Sequence, residues 1–419
     1  MYRKKKSWSR RDFLKTAGAM GVGSMVFPGV SLAGDPNKSA AETPKKMPLP
    51  TRPYGKTGIR VSMLALGGSF DTQSNQVLLR QVFKLGITYW ETAEIYGFGR
   101  CEEGYGKYFT KYSEDRKKVF LVTKTLSRVP ADMTSALEGS LERLNTSYID
   151  LYLWHMIGSL DPFYDKAVRN WVEKMKSEGK IRYFGFSTHQ NIEESMVTAA
   201  KLGGIDGIQM SYNFRLMHTD GMKKAVDACV NAGIGLTAMK TASPDVIGRV
   251  LKAPELTESE RELLSKLTGH FLEKGFTDIQ ARLMAVWRNP HIASICSYMP
   301  NMTILKANVD AALNWKKLSR QDMNVLKQYA HVTASGYCAG CATICESAVE
   351  GHVPISDVMR YLMYYHGYGD RDRAKALFNE LPFDMRRRIA STEYATAERR
   401  CPQRMPIGRL MREAARELA

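Results

Sequence analysis

The chain has 419 residues, of which 44% are hydrophobic and 25% are charged, with 33 Gly and 16 Pro. These fractions are those of an ordinary globular protein, and they exclude a disordered, a collagen-like or a multi-span membrane chain. The net charge is +17, but no long basic run follows residue 33, so nucleic acid is not an expected partner. The seven cysteines are too few for a disulfide scaffold, so their spacing is more informative than their number.

The N-terminus has the pattern of an export signal. The segment SRRDFLK at residues 9–15 is followed by a weakly hydrophobic stretch at 16–32 that is rich in Gly and Ala. This pattern resembles a bacterial Tat signal, which implies passage through the Tat translocase to the periplasm or the outer face of the cytoplasmic membrane. Residues 1–33 are therefore predicted to be a signal peptide, and 34–50 a linker. A basic N-terminal helix and an uncleaved anchor are the alternatives.

From residue 60 onward the hydrophobic pattern alternates between strand and helix. Short β-type runs lie at 62–67, 87–92, 119–124, 149–156, 183–188, 205–212, 234–239 and 292–298. Helical periodicity separates them, for example at 132–144, 164–177 and 222–232. Because no GxGxxG turn follows the first run, the alternation predicts an α/β fold, a (β/α)8 TIM barrel over residues 51–318. A longer insert at 243–276 is expected over the C-terminal face of this barrel.

Chemically active side chains fall at the ends of the predicted strands. Glu91 and Tyr96 follow the second strand, Lys124 ends the third, and His155 follows the fourth. The C-terminal ends of the strands carry the active sites of barrel enzymes. A phenol is a poor acid at neutral pH unless a nearby cation lowers its pKa, and a lysine beside a carboxylate can supply that field. Together these groups can move a proton at oxygen while a hydride moves at carbon.

The ordered segments resemble the aldo-keto reductase family. The resemblance covers residues 54–312 and rests on YGKTGIRVSMLALGG, ITYWETAEIYGFG, VFLVTK, LERLNTSYIDLYLWH, GKIRYFGFSTH and IQMSYN. It implies an oxidoreductase that interconverts a small carbonyl and an alcohol substrate with NADP(H) or NAD(H). Tyr96 would be the general acid, Lys124 its lysine and His155 the residue that orients the substrate. Glu91 stands where the family has aspartate.

The same resemblance implies a nucleotide site. The candidate cofactor-binding residues are Ser187, Thr188, Gln209, Met239, Asn301 and Asn308. Met239 stands in the strand where the family usually has an aromatic residue that stacks on the nicotinamide. Pro300 lies near the position of the basic residue that binds the nucleotide phosphates in relatives. Selectivity for NADP is therefore not predicted, and a barrel that has lost its nucleotide is an alternative.

Four of the cysteines form a pattern typical of a metal site. Cys338, Cys341 and Cys345 lie close together, and Cys401 follows much later with proline directly after it. Thiolates at this spacing suit zinc or an iron–sulfur cluster, and a Cys-Pro fourth ligand is typical of the latter. The remaining cysteines, on the barrel segments, are interpreted as free thiols.

An internal alignment favours the cluster. Residues 349–362 align without a gap with 401–414, which resembles the repeat of bacterial two-cluster ferredoxins, where the fourth cysteine of each run ligates the other cluster. Val349 occupies one fourth-ligand position, so the four remaining cysteines belong to the same site. This predicts one 4Fe–4S cluster in a mainly helical region at 319–419, with structural zinc as the alternative.

Two functions from different classes are compatible with these patterns. The first is an aldo-keto reductase-type oxidoreductase that carries one 4Fe–4S cluster. The second is an electron-transfer or interaction protein that uses a catalytically silent barrel as a scaffold and exchanges electrons with a redox partner. A zinc-stapled binding protein is a third, which rests only on the choice of metal.

Overall fold

The computed structural model describes residues 49–242 and 257–419. Its strands are β1 (Thr51–Pro53), β2 (Arg60–Ser62), β3 (Leu64–Gly67), β4 (Tyr89–Glu91), β5 (Phe120–Thr125), β6 (Ile149–Trp154), β7 (Ile181–Thr188), β8 (Gly207–Ser211), β9 (Gly235–Met239) and β10 (Ile292–Tyr298). Within the described residues, β3 to β10 are parallel and close into a barrel in chain order, with β10 beside β3. Each overlaps a predicted run, so the predicted (β/α)8 barrel is confirmed.

A β-hairpin that the sequence analysis did not predict precedes the barrel. Strands β1 and β2 pair antiparallel, and the turn between them carries Tyr54, which is fully buried. The Tyr54 ring packs against Tyr89 and Phe120, with ring centroids 6.2 and 5.2 Å apart. Because Tyr89 and Phe120 begin their strands, the hairpin fills the N-terminal end of the barrel. The opposite, C-terminal end is left for a site.

Helices cover the outside of the barrel and pack their apolar faces on it. Those described up to residue 318 are Gln76–Lys84, Arg100–Lys111, Ser113–Arg116, Pro130–Arg143, Lys166–Ser177, Ile192–Leu202, Asp220–Asn231, Glu258–Glu273, Asp278–Trp287 and Met302–Leu313. The three helices predicted by number begin and end within two residues of the predicted positions. One large core of buried residues fills the layer between strands and helices.

The rest of the chain is helical, as predicted. Its helices are Arg320–Val332, Ala342–Glu346, Ile355–Leu362, Arg371–Asn379, Phe383–Ser391, Ala395–Arg400 and Ile407–Glu417, with a π-helical turn at Met363–Tyr368. The first of these helices packs on the barrel, because its Leu326 belongs to the barrel core. The later helices share a second core, which includes Val353, Met359 and Met411.

The two aligned segments of the C-terminal region have matching backbones. Three residues before the first segment, the Glu346 carboxylate accepts a hydrogen bond from the Ser356 N–H at 3.0 Å. Three residues before the second, Glu398 accepts one from the Gly408 N–H at 2.8 Å. In each segment, the residue two positions before the proline that precedes the helix has a positive φ, 54° and 53°. The internal alignment therefore corresponds to a structural repeat.

Several predictions fall on other parts of the chain. The predicted signal peptide at 1–33, most of the predicted linker and residues 243–256 of the predicted insert lie outside the described residues. Among the described helices, none combines the length and the hydrophobicity that a membrane crossing requires.

Candidate active site

A cavity of about 130 Å³ lies at the C-terminal ends of the barrel strands. All four residues predicted to be catalytic line it: Glu91, Tyr96, Lys124 and His155. They come from the ends of three neighbouring strands, β4, β5 and β6, which the parallel barrel brings together at one rim. The structure therefore assembles the predicted set around one space.

Lys124 and Glu91 form an ion pair at the base of this cavity. Their side chains are 1% and 3% exposed, and the Lys124 ammonium contacts the Glu91 carboxylate directly. The ammonium also donates to the Thr92 carbonyl at 2.6 Å. Glu91 accepts further hydrogen bonds from the Gly68 N–H and the Gln209 amide, both at 3.3 Å. The longer carboxylate that replaces the family's aspartate thus still neutralises the lysine.

Tyr96 lies above this ion pair. Its hydroxyl is 3.5 Å from Lys124 Nζ and donates to Glu91 Oε1 at 3.4 Å. Burial and then the Glu91 carboxylate raise the pKa of Tyr96 well above 10. The sequence analysis expected a nearby cation to lower this pKa; Arg373 does lower it, but burial and the Glu91 carboxylate outweigh that effect. Tyr96 is therefore protonated across the physiological pH range and can act as a proton donor.

His155 faces Tyr96 across the cavity, with ring centroids 5.6 Å apart. Burial, followed by the positive charge of Lys124, lowers the pKa of His155 well below 6.5, so the imidazole is neutral at physiological pH. Among the described residues its Nδ1 has no hydrogen-bond partner. A neutral imidazole carries one N–H, which suits it to bind and orient a carbonyl oxygen.

The predicted nucleotide residues divide into two groups. Ser187, Gln209 and Met239 line the cavity, and Gln209 Oε1 is buried with no partner among the described residues. Thr188 does not line it; its hydroxyl lies 2.9 Å from the Ile157 carbonyl and 2.7 Å from the Gln190 carbonyl and can donate to either. An unpaired amide oxygen beside Ser187 is an acceptor for a ligand amide.

Neither predicted asparagine reaches this cavity. Asn301 caps the helix Met302–Leu313, where its side chain accepts from the Ile304 N–H at 3.0 Å. Asn308 is buried and donates to the Ser297 hydroxyl at 3.0 Å. In the described residues both therefore have local structural partners.

Sequence reasoning missed the C-terminal residues that cover the cavity. Tyr364, Tyr368, Asp370 and Arg373 line it from the side opposite the barrel. Arg373 donates to the hydroxyl of Ser69, which follows β3, at 2.6 Å, so a direct hydrogen bond joins these C-terminal residues to the barrel rim. The only sequence signal is the tyrosine-rich segment MYYHGY, and nothing in it indicates which surface it contacts.

The four predicted metal ligands meet in a second cavity. Cys338, Cys341, Cys345 and Cys401 line a space of about 20 Å³, although Cys401 is distant in sequence. Burial is the main cause that raises the pKa of the first two thiols, to about 12 for Cys338. Within the described residues, no group of three or more His, Cys, Asp or Glu side chains is arranged to hold a metal ion.

The cysteine loop is docked directly on the barrel. Gly340 has φ +78°, and a Cβ there would collide with the carbonyl oxygen of His189, which follows β7. The Asn191 N–H donates to the Gly340 carbonyl at 2.9 Å, and the Asn191 side chain accepts from the Thr343 N–H at 3.2 Å. The loop with three of the four cysteines is thus in backbone contact with the rim of the active-site barrel.

Comparisons with known proteins agree with this arrangement. Residues 62–249 match the sequence profile of the Aldo/keto reductase family. An uncharacterized oxidoreductase of Bacillus subtilis, YrpG, is 27% identical over 56% of this chain and 82% of its own length. The Schizosaccharomyces pombe aldo-keto reductase yakc [NADP(+)] is 30% identical over 40% of this chain and 53% of its own length.

Solved structures show the same fold. An aldo-keto reductase of Bacillus halodurans in its holo form superposes with a TM-score of 0.55 at 22% identity, covering 67% of this chain and 96% of its own. A thermostable aldo-keto reductase in complex with the inhibitor epalrestat gives 0.53 at 24% identity, covering 67% of this chain and 99% of its own. The barrel is therefore similar to aldo/keto reductases in both sequence and fold.

Proposed function

We propose that the chain interconverts a small carbonyl and an alcohol at this cavity, with a nicotinamide nucleotide. The observation that supports this most directly is the convergence of Tyr96, Lys124, Glu91 and His155 on one buried space. When bound, the nucleotide supplies or accepts the hydride. In reduction, Tyr96 donates its proton to the carbonyl oxygen, and His155 holds that oxygen with its N–H. The Lys124–Glu91 pair fixes the position of the Tyr96 hydroxyl.

The residues present fit a nicotinamide carboxamide. Gln209 Oε1 is a buried acceptor that has no hydrogen-bond partner among the described residues. Ser187 lies beside it in the cavity lining, and Met239 gives an apolar surface next to both. A buried, unsatisfied amide oxygen costs free energy, so a ligand amide that hydrogen-bonds to it gains affinity. We propose Ser187, Gln209 and Met239 as the residues that bind the nicotinamide end of NADP(H) or NAD(H).

The test is the variant Tyr96→Phe, which keeps the ring and removes the acidic proton. We expect turnover of carbonyl or alcohol, followed by nucleotide absorbance, to fall about 10²–10⁴-fold. Tyr183→Phe is the matched control, because that phenol donates to the Thr57 carbonyl at 3.0 Å, in the hairpin at the other end of the barrel. Wild-type turnover in the Tyr96 variant, or a purified protein that binds no nicotinamide nucleotide, would contradict the proposal.

We also propose that Cys338, Cys341, Cys345 and Cys401 hold one 4Fe–4S cluster. The support is that these four thiols line one cavity and that they occupy ligand positions of a repeat with matching backbones. When bound, such a cluster exchanges one electron at a time. Anaerobically purified protein should contain about four irons with sulfide, the stoichiometry of a single cluster. Stoichiometric zinc without iron would instead support the structural-zinc alternative.

Export by the Tat pathway is a further part of the proposed function. Its support is the twin-arginine segment before the weakly hydrophobic stretch. Replacing Arg10 and Arg11 together with lysine keeps the charge and removes the signal, so precursor should accumulate in the cytoplasm. Cell fractionation measures this, and unchanged export of the double variant would exclude the Tat route.

A further inference from the structure

The C-terminal helices place a second buried phenol, Tyr364, in the active-site cavity. Tyr364 is 3% exposed and lines the same space as Tyr96 and His155. It lies in the π-helical turn Met363–Tyr368, a conformation that is rare and is frequently found at functional sites. Tyr365, the next residue of the turn, is not among the cavity residues; its hydroxyl donates to Glu417 at 3.3 Å.

Three cations surround the Tyr364 ring. Lys240 Nζ lies 4.5 Å from the ring centroid, the Arg373 guanidinium 4.6 Å and the Arg360 guanidinium 5.9 Å. They come from the end of β9 and from two different helices, so the positive charge faces Tyr364 from several directions.

Two carboxylates lie beside these cations, and Asp370 and Glu91 line the same cavity as Tyr364. The charged and titratable side chains that face its ring are Lys240, Arg360, Arg373, Tyr96, Tyr361 and Tyr368. Asp357 pairs with Arg360 at 2.6 Å, and Asp370 is 4.0 Å from Arg373. Lys240 has no carboxylate partner among the described residues. An anion in the middle of this cluster is therefore favoured, and the phenolate of Tyr364 is the group placed to provide it.

The surroundings of Tyr364 and Tyr96 shift the pKa values of the two phenols in opposite directions. Burial by itself raises the pKa of Tyr364, but the charges of Lys240, Arg360 and Arg373 outweigh it and lower that pKa to about 7. The pKa of Tyr96 is raised, as described above. Arg373 lies between them, 5.1 Å from the Tyr96 ring and 4.6 Å from the Tyr364 ring. Two titratable groups in one site whose pKa values are driven apart are suited to act as an acid and a base.

We propose that Tyr364 is a second catalytic residue, contributed by the C-terminal helices, whose phenolate is the final acceptor of the proton released from an alcohol substrate. The assignment rests on the proposed oxidoreductase function. As the substrate O–H bond breaks, its proton passes to the Tyr96 oxygen, the Tyr96 proton passes to the Tyr364 phenolate, and the C=O double bond forms. The electron pair of the C–H bond leaves as hydride to the oxidised nicotinamide nucleotide. In reduction the same transfers run backward, so Tyr96 donates to the carbonyl oxygen and Tyr364 returns a proton to Tyr96.

The experiment combines a titration without substrate and a pH–rate profile. Near-ultraviolet phenolate absorbance of the full-length protein should show one phenol that loses its proton near neutral pH, far below an ordinary tyrosine. Tyr364→Phe should lack this step, and Tyr365→Phe should keep it. In alcohol oxidation, kcat/KM should fall as the pH drops below about 7 because the base becomes protonated. Tyr364→Phe should lose this limb of the profile, together with about 10²-fold or more of the rate.

A second variant tests the same claim without changing the phenol. Lys240→Gln removes the nearest cation, so both the absorbance step and the limb of the pH–rate profile should move upward by about one pH unit or more. If wild-type protein is active but Tyr364→Phe keeps the neutral step or the limb, the Tyr364 assignment fails by itself. If wild-type protein turns over neither alcohol nor carbonyl, the proposed function fails, and the catalytic role of Tyr364 fails with it.

Discussion

The buried ion pair between Lys124 and Glu91 gives a direct stability test of the active-site geometry. Lys124→Met removes the ammonium and leaves a carboxylate whose side chain is 3% exposed. The Gly68 N–H and the Gln209 amide, each at 3.3 Å, and the Tyr96 hydroxyl at 3.4 Å still donate hydrogen bonds to it. Removing one partner of a buried pair costs about 3–5 kcal/mol, because the remaining charge is uncompensated. We expect the free energy of unfolding to fall by this amount at neutral pH.

Urea unfolding, followed by tryptophan fluorescence, measures the effect. The double variant Glu91→Gln/Lys124→Met should recover most of the lost free energy of unfolding, since neither charge of the pair remains. Lys117→Met is the control, since its partner Glu114 is exposed and surface pairs contribute little. Similar losses in both lysine variants, or a double variant as unstable as the single one, would refute the reasoning.

Three further predictions follow from other contacts. Cys401→Ala should lose iron as completely as Cys341→Ala in a metal and sulfide assay, because both thiols line the same cavity. Gly340→Ala should lower the thermal unfolding midpoint, since its Cβ collides with the His189 carbonyl at a positive φ. The free energy of unfolding should fall as the pH drops below about 6.5, because in this range His155 takes up a proton in the unfolded chain but not in the folded one. In urea titrations at several pH values, His155→Gln should reduce the dependence of this free energy on pH by about 1.4 kcal/mol per pH unit.

The barrel could be predicted from the sequence because its signal is local and repeated. Each strand is a short apolar run between helical periods, and parallel connections place successive strand ends on one rim. The convergence of Glu91, Tyr96, Lys124 and His155 follows from that topology alone. The hairpin escaped prediction because its strands are only three residues long, too short to show an alternating pattern.

The cover of the active site could not be predicted, for a physical reason. Helical periodicity shows that a face is apolar but not which surface buries it, so nothing local assigns Tyr364 or Arg373 to the barrel rim. The π-helical turn that carries Tyr364 also departs from the 3.6-residue period. The structural role of Asn301, by contrast, was visible in the sequence. An asparagine directly before a helix is a favourable N-cap, although the family resemblance suggested a nucleotide-binding role for this residue instead.

The structural repeat of the C-terminal region has a consequence for its cysteines. The second half carries only Cys401, yet its Glu398–Gly408 hydrogen bond is as good as the matching one in the first half. Where the alignment is extended backward, Ala397 stands opposite Cys345 and is completely buried. A small apolar residue therefore fills a cysteine position of the repeat while the helices keep their packing. The backbone of the repeat does not by itself require a thiol at that position.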